Sequence, residues 1–165
     1  TRCSVSRGLG DVYKRQMIDS LLKKIEILKK VSELNEEQSA LLDDKEFDGD
    51  KLQSNMESKA AYIDELNALD EGFQSVFDRV KEDVEEYKAN YKESIAKLQV
   101  LIKEATSLSA TIQAQESRNK VRVDIKFRQL KDNAKTAKRS VSMANKYYQN
   151  MSRVSSEPQF MDQKK

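Results

Sequence analysis

The chain has 165 residues, a mass of 19.0 kDa, 30 basic and 28 acidic side chains and a formal net charge of +2. At 35% charged residues, 7% aromatics and a mean hydropathy of −0.80, it carries too little apolar surface for a thick globular core but enough for helices that each bury one narrow stripe. It has no run of 18 apolar residues, so no membrane insertion is expected. With no histidine and the single cysteine Cys3, an internal disulfide, a histidine-based catalytic group and a structural zinc site are excluded, and no cofactor is expected.

Thr1 to Gln16 differs in character from everything after it, holding Cys3, half of the four glycines and no helical periodicity. Its residues Asp11-Val12-Tyr13-Lys14-Arg15-Gln16 resemble one reading frame of a transposon-end sequencing adapter translated as protein. The alternative, a basic leader, lacks the apolar region of a secretion signal. Residues 1–16 are therefore expected to be non-native or disordered, with the native start at Met17 or shortly before it.

From Met17 to Glu157 the chain runs 141 residues without proline, cysteine or histidine, and Gly49 and Gly72 are its only glycines. So few turn-formers among many Glu, Lys, Leu, Ala and Gln residues predict long helices with few corners. The expected fold is all-α, an antiparallel long-helix hairpin or a three-helix coiled-coil-like bundle over 17–154, with a flexible tail at 155–165. A first helix from Asp19 or Ser20 to Leu42 buries Leu21, Ile25, Leu28, Val31, Leu34 and Leu41, with Gln38 interrupting. The cluster from Asp43 to Asp50 makes a turn, and Asp48 or Asp50 can cap the second helix. That helix carries Leu52, Met56, Ala60, Ile63, Leu66, Leu69, Phe73, Val76, Val80, Val84, Tyr87 and Tyr91 at spacings of three and four. Gly72 within it suggests a bend or a close approach.

An unbroken helix from 50 to 150 would be about 150 Å long, so a turn is expected within Asp83 to Ser94. The last helix then carries Ile95, Leu98, Ile102, Ala105, Leu108 and Ile112. After a polar patch from Gln113 to Asn119 it continues as Val123, Phe127, Leu130, Ala134, Ala137, Val141, Ala144, Tyr148 and Met151. This second row alternates four and three, as the seam of a coiled coil does. Three of its nine positions are alanine, which makes it shallow. It either packs on the first two helices or forms a groove for a partner's amphipathic helix.

Charge is divided along the chain. Glu33 to Glu93 holds 19 acidic and 7 basic residues, net −12, and Arg118 to Arg153 holds 11 basic and 2 acidic, net +9. In an antiparallel hairpin these tracts lie alongside and set register more than stability. Arg128, Lys131, Lys135 and Lys138 form a basic ridge beside the seam that calls for an acidic neighbour. No nucleic-acid motif accompanies it and the aromatics are not interleaved as stacking platforms, so no nucleic-acid partner is expected. No base adjoins any nucleophile and no glycine-rich loop can hold phosphate, so the chain is not expected to be an enzyme.

Three strings, in order, resemble the FlgN family of flagellar type III export chaperones and the related FliT. The first is an opening amphipathic helix and acidic break followed by the lysine-bearing segment Met56-Glu57-Ser58-Lys59-Ala60-Ala61-Tyr62-Ile63-Asp64-Glu65-Leu66-Asn67-Ala68-Leu69-Asp70-Glu71. The second is Ile112-Gln113-Ala114-Gln115-Glu116-Ser117-Arg118-Asn119, and the third is the ending Gln159-Phe160-Met161-Asp162-Gln163-Lys164-Lys165. The resemblance implies a cytoplasmic, ATP-free helical chaperone that binds the disordered terminal helix of a flagellar axial protein, a hook–filament junction or filament-cap protein. It would prevent premature assembly and deliver the client to the export gate. The row from Val123 to Met151 is then the client site, and Tyr147 or Tyr148 resembles the tyrosine that family members present to the gate. Such a chain would be a monomer or weak dimer. The rival reading, a structural coiled-coil adaptor or stalk of an export apparatus, expects a parallel dimer with the helix unbroken through 83–94.

Overall fold

The structure is a computed structural model that describes residues 2–86, 88–131 and 134–154. The fold is all-α, with four helices among the described residues: α1 (Arg2–Asp43), α2 (Gly49–Glu86), α3 (Lys88–Gln129) and α4 (Ala134–Val154). The first corner falls where the Asp/Gly cluster was expected. Asp44 Oδ1 accepts from Glu46 N–H (3.1 Å), and Asp48 Oδ1 accepts from Asp50 N–H (3.0 Å) and Lys51 N–H (3.1 Å). Asp48 is thus the N-cap of α2. α2 and α3 bracket residue 87, inside the window predicted for the second corner. Because α2 and α3 run in opposite directions along α1, the described residues do not form the uninterrupted rod that the stalk reading requires.

α1 is the central rod, packed on α2 along one side and α3 along another. It is antiparallel to α2: Lys24 Nζ donates to Asp70 Oδ1 (2.6 Å), and further along α1 the Asn55 amide donates to Leu34 O (2.9 Å). It is parallel to α3: Ser32 donates to Gln115 Oε1 (3.2 Å), Asn119 Nδ2 donates to Asn35 O (2.9 Å), and Arg122 reaches Ser39 and Asp43. α4 lies against α2 and runs parallel to it. Ala144 shares a buried cluster with Leu52 and Met56, and one turn on Tyr147 covers Lys59. Met151 then reaches Ile63, Leu66 and Ile112.

Four expectations are corrected. α1 begins at Arg2, well before Asp19, because Gly8 and Gly10 are tolerated inside a helix and Tyr13 and Met17 continue its buried stripe. Gly72 marks neither a bend nor a close approach: α2 runs through it, and a Cβ there would meet nothing within 4 Å. The final helix is two helices, so the bundle has four members where three were expected. α3 ends with Leu130 N–H bonded to Lys126 O (3.1 Å) and Lys131 N–H to Arg128 O (3.5 Å), the tightening typical of a last turn. The basic residues Lys126 and Arg128 sit at its C-terminus, where the helix dipole favours cations. Finally, the acidic and basic tracts do not zip together as an antiparallel pair. Among the described residues, Arg122–Asp43 is the single ion pair that joins them. The expected tail at 155–165 lies outside the described residues.

Candidate functional site

The core is divided into two apolar clusters by a layer of polar side chains. The larger cluster runs from Met17 to Val31 on α1 with Ile63, Leu66, Phe73 and Val80 on α2, Leu101, Ala105 and Ile112 on α3, and Met151 on α4. The smaller lies toward the first corner and comprises Leu42, Leu52, Met56, Val123 and Ala144, flanked by Phe47, Phe127 and Tyr148. Between them every helix contributes polar groups: Asn35 and Gln38 from α1, Lys59 from α2, Glu116 and Asn119 from α3, and Tyr147 from α4.

The layer is centred on Lys59, whose side chain is 0% exposed. Its Nζ donates to Asn35 Oδ1 (2.7 Å), Gln38 Oε1 (3.1 Å) and both oxygens of Glu116 (2.9 and 3.1 Å). These three partners match the three protons of an ammonium. The Tyr147 ring covers the same ammonium at 4.2 Å, and its hydroxyl donates to Glu116 Oε1. Asn119 Nδ2 donates to Gln38 Oε1 (3.1 Å), closing the network. Burial lowers the Lys59 pKa against the opposing pull of Glu116. Burial, followed by the Glu116 charge, raises that of Tyr147 well above a phenol's ordinary value. Tyr148 is raised too, by burial first and then by Glu116 and Asp124.

Among the described residues α4 buries Ser140, Ala144, Tyr147 and Met151, two of them small. Tyr148 stands edge-on to Tyr147 with ring centroids 5.4 Å apart, and its hydroxyl is buried without a hydrogen-bond partner among the described residues, as is the Gln38 amide nitrogen. Each orphaned group costs about 1–3 kcal/mol.

The predicted client row is split by the third corner. Val123 and Phe127 lie at the end of α3, Leu130 in the turn that follows it, and the remaining six positions belong to α4. The structure brings Val123, Phe127, Ala144 and Tyr148 together in the smaller cluster, where Phe127 meets Phe47 edge-on at 6.5 Å. Met151 belongs to the larger one. Leu130 is half-buried, and Val141 is 38% exposed on the outer side of α4. The side chains of Ala134 and Ala137 lie outside the described residues, as do those of Lys135 and Lys138. Of the basic ridge, Arg128 and Lys131 are exposed at the end of α3. Of the two gate candidates, Tyr147 is 2% exposed and Tyr148 half-buried.

Sequence reasoning missed Lys59, Glu116 and Asn35 as site residues. The signal was present: Met56, Lys59 and Ile63 are spaced three and four, as are Ile112, Glu116 and Asn119. All three polar residues therefore sit on the buried stripes and only interrupt their hydrophobicity. Among the described residues no acidic or cysteine group could hold a metal ion, and no helix is long and apolar enough to cross a membrane.

No characterised protein and no solved structure matches the chain. A sequence model of the family described as FlgN protein matches residues 14–155, and the chain therefore belongs to the FlgN family of flagellar export chaperones.

Proposed function

We propose that this chaperone works in the cytoplasm and binds the disordered terminal helix of a hook–filament junction or filament-cap protein. The client would lie along the row Val123, Phe127, Leu130, Ala134, Ala137, Val141, Ala144, Tyr148 and Met151. It would be kept from assembling and carried to the export gate. The observation that carries the mechanism is how α4 is held. Apart from Val141, the row's described members are wholly or partly covered by the chain itself. The helix covering them rests on a buried ion pair and leaves the Tyr148 hydroxyl unbonded.

Lifting α4 returns Lys59 and Glu116 to water, which recovers a desolvation cost of several kcal/mol per ion and offsets much of the lost apolar contact. α4 is thus the element that leaves most cheaply. Its departure bares the apolar surface of Leu52, Met56, Ile63 and Val123 together with the row on α4 itself, so that a client helix can take the seat of α4 and meet the row of the lifted helix on its other side. The same movement frees Tyr147 and Tyr148, which fits either as the contact to the export gate. A client that orders on binding is held with moderate affinity and can be released.

Calorimetric titration with synthetic terminal segments of junction and cap proteins tests this reading. A 1:1 complex is expected, weakened at least tenfold by Leu130→Asp or Val141→Asp, the loss expected when a charge enters an apolar contact. Unchanged affinity in variants that remain folded removes the row from the account.

A further inference from the structure

The polar layer has a consequence for which helix can take the place of α4. The Lys59–Glu116 pair is fully inside the bundle, and only α4 closes it from the fourth side. The closure is chemically specific. Tyr147 supplies a hydroxyl that donates to Glu116 Oε1 and a ring face that covers Lys59 Nζ at 4.2 Å. Phenylalanine would supply the ring and leave a buried carboxylate short of a donor, and leucine would supply neither. Three residues before Tyr147 stands the small residue Ala144, buried in the same apolar cluster as Leu52 and Met56. Four residues after it Met151 reaches the apolar floor of Ile63, Leu66 and Ile112.

We propose that the Lys59–Glu116 pair is the selectivity element of the α4 position. It admits a partner helix, parallel to α2, that carries a small residue, then a tyrosine three positions later, then a long apolar residue four positions after that. It rejects an otherwise equal helix with phenylalanine at the tyrosine position. This inference rests on the reading that a client helix replaces α4. It adds that the chaperone chooses among amphipathic helices by a buried charge-assisted hydrogen bond, since an apolar stripe alone would accept nearly any of them.

The test uses the full chain carrying Ala144→Asp, which unseats its own α4 by placing a charge in the apolar cluster of Leu52 and Met56; faster hydrogen exchange confined to α4 verifies this. The probes are a 21-residue peptide with the sequence of 134–154 and the same peptide with Tyr147→Phe. The tyrosine peptide is expected to bind about ten- to hundredfold more tightly, the span for a hydrogen bond to a charged group. Adding Lys59→Met with Glu116→Leu to the chain is expected to abolish or reverse that preference. If that chain does not fold, Glu116→Gln replaces it and the preference is expected to shrink to a few-fold. Equal affinity of the two peptides overturns the selectivity, and so does a preference that survives removal of the ion pair. Failure of both peptides to bind overturns the replacement reading itself.

Discussion

The two halves of the bundle are held by different physics. Between Met17 and Val31 of α1 the helices meet chiefly through Leu, Ile and Phe side chains, with Lys24 donating to Asp70 at the side, and such apolar packing tolerates exchange of one hydrophobic residue for another of similar volume. Around Asn35 the helices meet through Lys59, Glu116, Asn119 and Tyr147, and only one register satisfies all of them. The apolar half supplies cohesion for α1, α2 and α3. The polar layer supplies little net stability but aligns four helices, and it is where α4 attaches. A chaperone that must open at one place and stay folded elsewhere gains from that division.

The comparison breaks most visibly if one member of the ion pair is removed. Glu116→Ala leaves the buried Lys59 ammonium uncompensated and is expected to destabilise the fold by about 3–5 kcal/mol in denaturant titration. Pairing Lys59→Met with Glu116→Leu is expected to recover most of that loss, because an apolar layer of similar volume is no worse in energy. In the apolar half Leu66→Ala has no such rescue, and a loss of about 2–5 kcal/mol is expected from the cavity. A large loss in the double variant would show that the polar layer contributes cohesion after all.

A smaller effect sharpens the contrast. Tyr147→Phe removes one hydrogen bond to a charged group, about 1.5–3 kcal/mol, and the change should appear as faster exchange in α4 with α1 to α3 unaffected. Alkaline pH probes the same bond. Tyr147 and Tyr148 hold their protons above a phenol's ordinary value. Their stabilisation is therefore complete below about pH 10 and is lost as pH rises, because the unfolded chain releases protons that the folded chain keeps. Lys59 acts in the opposite sense. Its pKa is lowered, so stability rises with pH between that value and the ordinary lysine range. Thermal melts are expected to fall above about pH 10, less steeply in Tyr147→Phe. An identical slope in the variant contradicts the assignment.

The smallest expected effect is at the rim. Val141→Asp should change stability by no more than about 0.5 kcal/mol, being exposed, while weakening client binding.

Much of this was legible in the sequence. The stripes of three and four predicted the helices, the Asp/Gly cluster predicted the first corner with Asp48 or Asp50 as cap, of which the structure uses Asp48, and the length argument placed the second corner within 83–94. The third corner was missed because the row from Val123 to Met151 keeps its spacing across the break, so periodicity alone reads straight through it. The neighbouring Asp132-Asn133, residue types that favour turns and caps, was the available warning. The burial of α4 was misjudged by one position: Ser140, Ala144, Tyr147 and Met151 face inward, where Val141 and Tyr148 were expected. A hydrophobicity pattern favours Val141 over Ser140, and the polar layer beneath explains why the inward face of α4 takes a tyrosine hydroxyl at 147. Gln38 and the Gln113 to Asn119 patch registered as interruptions of separate helices. That they meet one another at Lys59 follows from tertiary register, which single-helix periodicity does not contain.

On the proposed mechanism α4 is the loosely held member of the bundle, and amide hydrogen exchange of the free chain under native conditions puts this to the test. α4 from Arg139 to Met151 is expected to exchange through a local opening, well before the core amides of α1 to α3 around Val31, Ile63 and Ile112. Protection of α4 equal to that of those core amides, lost only on global unfolding, would contradict it.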